Sequence, residues 1–399
     1  MIKAATFSEF MLKQREPQKS KLVIDYTLLV TSLVILALGL VMVASSSLSI
    51  AEKNTGSAFY YLWRQMVFVG IGLVSAFFVF RTPLETWQKA GPVLVVISLV
   101  LLVLVFLPGL GKTVNGSTRW LNLGVVNLQA SEVVKLFTLM YMAGYLVRHQ
   151  EAVRNSIGGF IRPLVLLLFM VILLLLEPDY GAAAVLVATC MGMMWMGGVR
   201  LLQFVFLFIA VALALAILAT SSPYRMERLT AFLNPWADPF NSGFQLTQAL
   251  IAFGRGEWFG VGLGNSVQKL FYLPEAHTDF LFAVFAEETG LFGVTIAIAL
   301  FAILIIRALL IARTAEKRER PFAAFLSYGL ALWMGMQAAI NIGVNMGILP
   351  TKGLTLPLMS YGGSSVVIMC IAVALLLRAD YETRKDDRPV QNRRARHAS

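Results

Sequence analysis

The segment Pro274-Glu275-Ala276-His277-Thr278-Asp279-Phe280 ends a polar stretch of about sixty residues, 221–280, that lies between long apolar runs. A carboxylate placed there, at the start of an apolar run, has two readings. It can cap the helix that follows and interact favourably with its dipole. It can also act as a base on something that lives in the membrane. Spacing alone favours the cap. His277 could pair with Asp279, but no Ser or Cys nucleophile stands in a setting that would complete a hydrolase.

Other ionisable groups invite the same double reading. Glu132 and Lys135 sit three apart in Gln129-Ala130-Ser131-Glu132-Val133-Val134-Lys135, on one face of a helix. They form either a neutralised structural pair or a pocket that orients a charged headgroup. Arg64, at the entry of an apolar run, either snorkels to the interface or binds an anion. Arg119, Arg225, Arg228, Arg255, Lys269 and Lys352 fall in polar segments between runs. Each taken singly reads as a solvated charge; together they make a surface suited to an anion such as pyrophosphate. The stretch 349–357, with Pro350 and Pro357, leads into Ser360-Tyr361-Gly362-Gly363-Ser364-Ser365. Two prolines and a glycine pair forbid a continuous helix. Irregular backbone at membrane depth points to a cavity-lining loop, with an ordinary surface loop as the alternative.

Several motifs fail on spacing. Gly111-Lys112-Thr113 lacks the upstream glycine of a phosphate-binding loop, since Phe106 stands there. Gly260-Val261-Gly262-Leu263-Gly264 has neither the spacing nor the strand of a dinucleotide fingerprint. Asn115-Gly116-Ser117 is a formal glycosylation sequon and nothing more. His149, His277 and His397 are scattered, and no metal-ligand spacing is legible. Cys190 and Cys370 read as small apolar fillers.

The elements that must position these groups are membrane helices. Of 399 residues, 58% are hydrophobic and 14% charged, and the mean hydropathy is +0.75. Soluble domains carry more charge and less apolar residue, so the fold class is an all-α polytopic membrane protein. About ten spans are predicted, near 27–46, 58–79, 91–107, 130–147, 162–176, 181–198, 201–219, 281–306, 321–346 and 363–378. One ten-helix membrane domain, 26–378, is expected between a basic tail at 1–25 and a disordered basic tail at 379–399. With both termini in the cytoplasm, about two-thirds of the Lys and Arg fall inside, which accounts for the net charge of +11 without nucleic acid. The segments 108–129, 220–280 and 347–362 then share the outer face, where no nucleotide cofactor is available.

On Gly264-Asn265-Ser266-Val267-Gln268-Lys269-Leu270-Phe271-Tyr272-Leu273 with 274–280, and on Leu349-Pro350-Thr351-Lys352-Gly353-Leu354-Thr355-Leu356-Pro357, the chain resembles the SEDS family (shape, elongation, division and sporulation) of bacterial membrane glycosyltransferases. The likeness covers about residues 25–384, and Lys352-Gly353-Leu354 resembles the division branch more than the elongation branch. Departures are slight: Ala130 for a usual Pro, Tyr180 and Ala182 in the Pro178–Ala182 pattern, and Asn241 for a frequent Gly.

The resemblance implies polymerisation of lipid II into peptidoglycan at the outer face of the bacterial cytoplasmic membrane, at the division septum. Asp279 becomes the general base, reversing the order that spacing gave. Arg64, Arg119, Lys135 and Lys352 become candidates for pyrophosphate stabilisation, with Glu132 orienting Lys135. His277, Thr278, Ser360, Gly362 and Gly363 become candidates for the site lining. No organic cofactor is implied; a divalent cation could assist the pyrophosphate. The implied partners are a class B penicillin-binding transpeptidase and further division regulators. A lipid II flippase and a non-catalytic scaffold are the alternatives, the first because internal charges in ten spans also suit transport.

Overall fold

The computed structural model describes residues 24–114, 117–122, 124, 127–220, 226 and 230–385. The basic tails at 1–23 and 386–399, the Asn115-Gly116 part of the sequon, and Arg225 and Arg228 lie outside the described residues.

Each predicted apolar run is a helix. With two further helices, α5 and α9, that no predicted run covers, the helices in chain order are α1 (Tyr26–Thr55), α2 (Tyr60–Arg81), α3 (Leu84–Leu104), α4 (Ala130–Arg148), the short α5 (Gln150–Asn155), α6 (Ile157–Leu176), α7 (Tyr180–Met196), α8 (Leu201–Thr220), α9 (Phe244–Gly256), α10 (Leu281–Lys317), α11 (Pro321–Asn345) and α12 (Gly363–Lys385). Among the described residues, eight of these are long and apolar enough to cross a membrane, and α7 and α8 are shorter apolar helices. The chain is a multi-pass membrane protein.

Local chemistry sets the ends. Asp25 caps α1 by accepting from Leu28 N at 2.9 Å, and Gly56, at φ 71°, closes it. Asp179 caps α7, and Pro321 opens α11 at the first turn, where its missing N–H costs nothing. α12 runs on to Lys385, past the boundary placed at 378. The pairs Arg378–Glu382 and Arg384–Asp380 at four-residue spacing support that extension. α10 likewise extends beyond 306 to Lys317, so little loop remains before α11.

The bundle is layered by polarity. α4 is 83% buried over its most apolar window, against 28% for α2 and for α3. α4, α11 and α12 therefore form the centre, and α2, α3 and α6 turn residues such as Phe78, Val93 and Leu168 outward to lipid. α12 packs on α2, α11 on α10 and α7, and α4 on α3.

The segment 108–129, expected as a loop, is a three-stranded antiparallel sheet in the order β1 (Gly111–Val114), β2 (Ser117–Asn122), β3 (Asn127–Gln129). Lys112 pairs with Trp120 and Trp120 with Gln129. Gly111 is required at its start, because a Cβ there would lie 2.0 Å from the Val105 carbonyl. The short strands carry too little period-two signal to separate them from a polar loop. They lead directly into α4.

α10 is broken at Gly290, which adopts φ 67°, so residues 281–289 form a separate half-helix. The glycine-rich run at 260–264 explains itself here. Val261 N and Gly262 N donate to the carbonyls of Glu287 and Glu288, which the kink leaves without helical partners. A Cβ on Gly260, at φ 77°, would meet the Glu288 carbonyl at 2.2 Å.

Candidate active site

The starts of α2, α4, α7, α10 and α12 surround a polar cavity of about 500 Å³, roofed by the sheet and by the segment before α12. Its wall carries the cations Arg64, Lys112, Arg119 and Lys352 and the acids Glu132, Glu275 and Asp279. Thr278, Gly362 and Gly363 also line it. At a rise of about 1.5 Å per residue, the Arg307–Asp25 and Arg384–Asp380 pairs lie at the far end of α10 and α12.

Asp279 sits just before the half-helix, and its side chain is partly exposed to the cavity. It does not cap the helix: the cap position is Phe280, with no side-chain bond. Among the described residues none donates a hydrogen bond to its carboxylate. Burial raises its pKa to about 7, Glu275 and Asp179 push the same way, and Arg119 opposes them. The carboxylate therefore titrates near neutrality, where a base is best matched to its task.

The cations are held in different ways. Arg119, on β2, donates from Nη2 to the Pro178 carbonyl at 2.5 Å, while its buried Nε has no hydrogen-bond partner among the described residues. Arg64 donates to the Tyr60 hydroxyl at 3.1 Å and lies over that ring. The Lys352 ammonium is 5.9 Å from the centre of the Tyr180 ring. A Cβ built on Gly353 would lie 3.1 Å from Asp279 Oδ2 and 3.7 Å from Arg119 Nη1, so base, guanidinium and the 351–355 segment converge.

Lys135 does not line the cavity. It is buried behind Glu132, 2.8 Å from its carboxylate, and also donates to Gln337 Oε1 at 2.9 Å. Glu132 faces the cavity, so the pair reaches the site through its acid end. His277 and Ser360 also fall outside the lining. His277 packs between Tyr61 and Tyr361, and burial lowers its pKa and favours the neutral ring. Its carbonyl accepts from Tyr361 N at 3.0 Å, so it ties the base-bearing segment to the 360–363 segment and does not pair with Asp279. Ser360 Oγ accepts from Leu356 N and shapes the loop from within. Lys269 is not free for an anion, being buried against Glu288 at 2.8 Å; Arg255 is exposed and reaches Glu287 at 3.4 Å.

Sequence reasoning passed over Lys112, treated only as part of a failed phosphate-loop motif, and the buried amides Gln337, Asn341 and Asn345 on α11. The amides had a readable signal, four-residue spacing inside an apolar span.

The fold and this cavity define a polytopic helical membrane protein with its polar site at one end of the bundle. Over residues 26–385 the chain matches the FtsW/RodA/SpoVE family of cell cycle proteins and belongs to it. It is 59% identical over 360 residues to the probable peptidoglycan glycosyltransferase FtsW of Nitrosococcus halophilus, covering 90% of this chain and 93% of that protein. The corresponding protein of Coxiella burnetii is 52% identical over 359 residues, covering 90% and 96%. Among solved structures it is similar to a chain from a peptidoglycan synthase complex that coordinates polymerization and crosslinking, with TM-score 0.75, 29% identity and coverage of 91% and 99%. The rod shape determining protein RodA of Thermus thermophilus superposes with TM-score 0.67 at 28% identity, covering 90% and 97%.

Proposed function

We propose that this chain is a peptidoglycan glycosyltransferase that polymerises lipid II into glycan strands for the division septum, working at the outer face of the bacterial cytoplasmic membrane with Asp279 as general base. The observation that carries the reading is the Asp279 carboxylate, unengaged by any described donor and facing a cavity with four cationic side chains.

The chemistry follows from the groups present. The acceptor's 4-hydroxyl attacks the anomeric carbon of the donor sugar, and its proton passes to Asp279. The new C–O bond forms as the bond to pyrophosphate breaks, and its electron pair leaves on undecaprenyl pyrophosphate. One such displacement inverts α to β. A carboxylate is a far weaker base than an alkoxide, so positioning and stabilisation of the pyrophosphate must supply much of the rate. Arg64, Lys112, Arg119 and Lys352 are the groups able to meet that charge, with Lys135 acting through Glu132. Among the described residues no three His, Cys, Asp or Glu side chains come together as a metal-binding group, and no step is assigned to a metal.

A class B penicillin-binding transpeptidase is the partner this reading requires, since polymerised strands must be crosslinked. The similarity to a chain from a synthase complex that couples the two activities supports it. Division regulators would act on the same assembly.

Purified protein reconstituted with lipid II, with and without the transpeptidase, tests the assignment. Wild type should make glycan, and Asp279→Asn or Asp279→Ala should make none while staying folded and inserted. The wild-type rate should fall as pH drops through about 7, because the base is lost on protonation. Leaflet-to-leaflet movement of lipid II with no glycan product would establish the flippase instead. Full polymerase activity in Asp279→Asn would overturn Asp279 as the base.

A further inference from the structure

Gln337, Asn341 and Asn345 form a stripe of buried amides along one face of α11. Amides at this depth need partners, and each donates to a carbonyl in one of the two segments that build the cavity. Asn341 Nδ2 donates to the Asp279 carbonyl at 2.9 Å and to the Leu354 carbonyl at 2.5 Å. Asn345 Nδ2 donates to the same Asp279 carbonyl at 2.9 Å, and its Oδ1 accepts from Ala283 N at 3.0 Å. Gln337 Nε2 donates to the Thr355 carbonyl at 3.0 Å, and its Oε1 accepts from Lys135.

The Asp279 carbonyl precedes the half-helix and takes no helical partner, because Ala283 N is shared between Phe280 O and Asn345 Oδ1. The α11 amides are what hold it. Among the described residues, Asn341 is the one side chain that donates to both the base-bearing peptide and the 352–355 segment. The two segments meet with no side chain between them, since Gly353 lies directly against the Asp279 carboxylate.

We propose that Asn341 is a positioning residue for the Asp279 base, its amide fixing the carboxylate against the Lys352–Gly353 wall of the cavity, with Asn345 as a second tie on the same carbonyl. This rests on the reading of Asp279 as general base. A displacement of about 1 Å at a reacting group can cost on the order of a hundredfold in rate.

The test is lipid II polymerisation by reconstituted full-length Asn341→Leu across substrate concentration and pH. The expected result is a kcat lowered about ten- to a hundredfold with KM within about threefold of wild type. The acid limb of kcat should also move to lower pH, because a released carboxylate gains water. The charges facing it are unaltered in the variant: Glu275 on its own segment, Arg119 on β2, Asp179 at the α6–α7 turn, and the wall residues Arg64, Lys112, Glu132 and Lys352. A merely structural amide would lower thermal stability and leave the acid limb in place. Should the leucine variant fail to fold, Asn341→Ser leaves room for a bridging water and is expected to lose about three- to tenfold in kcat with a smaller shift of the same limb. Wild type and Asp279→Asn are measured alongside. An inactive wild type or an active Asp279→Asn overturns the base assignment. If both behave as expected while the Asn341 variants keep the wild-type kcat and acid limb, or change KM alone, only this inference is overturned.

Discussion

The half-helix at 281–289 has carboxylates at both ends, and they are treated in opposite ways. At its far end Glu287 accepts from Ser266 Oγ and from the backbone of Val267 and Gln268, with Arg255 alongside. Glu288 takes both a Lys269 ammonium and the Ser45 hydroxyl. At its near end Asp279 accepts from no described donor and faces a cavity. Carboxylates supplied with donors hold the 257–269 loop onto α1 and α10; the carboxylate left without them is available to a substrate. Buried charge alone does not separate structure from chemistry; the supply of donors together with access to a cavity does.

The sharpest break in this comparison is Asp279→Asn. Glycan synthesis is expected to fall by at least about a thousandfold, as for loss of a general base together with its local charge. Folding should hold or improve. The carboxyl has a raised folded pKa, so its ionisation opposes folding above its ordinary value of 3.8, and a neutral amide removes that opposition. Thermal unfolding in detergent beside the activity assay checks both halves, and a destabilised, partly active variant would put Asp279 in the same class as Glu288.

Lys269→Met should do the reverse. Removing one partner of a buried pair strands the other, at a cost of about 3–5 kcal/mol. The expected outcome is a large drop in thermal stability, with near wild-type turnover per folded molecule. The double variant with Glu288→Met should recover much of the loss, because no uncompensated charge remains.

Glu177 offers a third case, a buried carboxylate with neither partner nor cavity. Among the described residues neither of its oxygens has a hydrogen-bond partner, and burial, reinforced by Asp179 and opposed by Arg119, raises its pKa to about 9. It is neutral in the folded protein at pH 7. The cost of holding it so begins at its ordinary pKa of 4.5, grows with pH, and levels off above about 9. Glu177→Gln should therefore match wild type near pH 4 and exceed it by up to about 3 kcal/mol at pH 7. Stability measured across pH checks the sign, and a variant weaker at pH 7 would mean the carboxylate has a donor.

Hydropathy alone found the spans, because lipid demands about twenty apolar residues and little else does. It missed the sheet at 111–129, whose strands are short and polar, and the helix at 244–256 inside the long outer segment. Within the site, Asp279, Arg64, Arg119, Glu132, Lys352, Thr278, Gly362 and Gly363 were legible and share one cavity. Lys135, His277 and Ser360 were legible as conspicuous residues but stand behind the wall, since sequence shows residue type and not the direction of a side chain. Lys269 looked like a surface cation for the same reason and is buried, whereas Arg255 is exposed as its type suggested. The acid of Lys269, Glu288, is about twenty residues away in the chain and meets it beside the Gly290 kink. The α11 amides were visible as a spacing whose purpose required the partner segments to be placed.

The smallest expected effect belongs to Gly353→Ala, and it tests how little slack the open end of the comparison has. The position is exposed and its φ is not positive, so the backbone accepts alanine without strain. Loss of glycine freedom in the unfolded chain even favours the variant by about 0.4–1 kcal/mol. The new methyl would stand 3.1 Å from Asp279 Oδ2, tighter than ordinary contact, and 3.7 Å from Arg119 Nη1. Either the carboxylate or the 351–355 segment must then give by a few tenths of an ångström. With Asn341 gripping both, the strain should fall on the carboxylate, so kcat should drop about three- to tenfold while stability holds. A variant with unchanged kcat would show that Asp279 has room to move, and the claim that α11 fixes it against this wall would lose one of its two geometric supports.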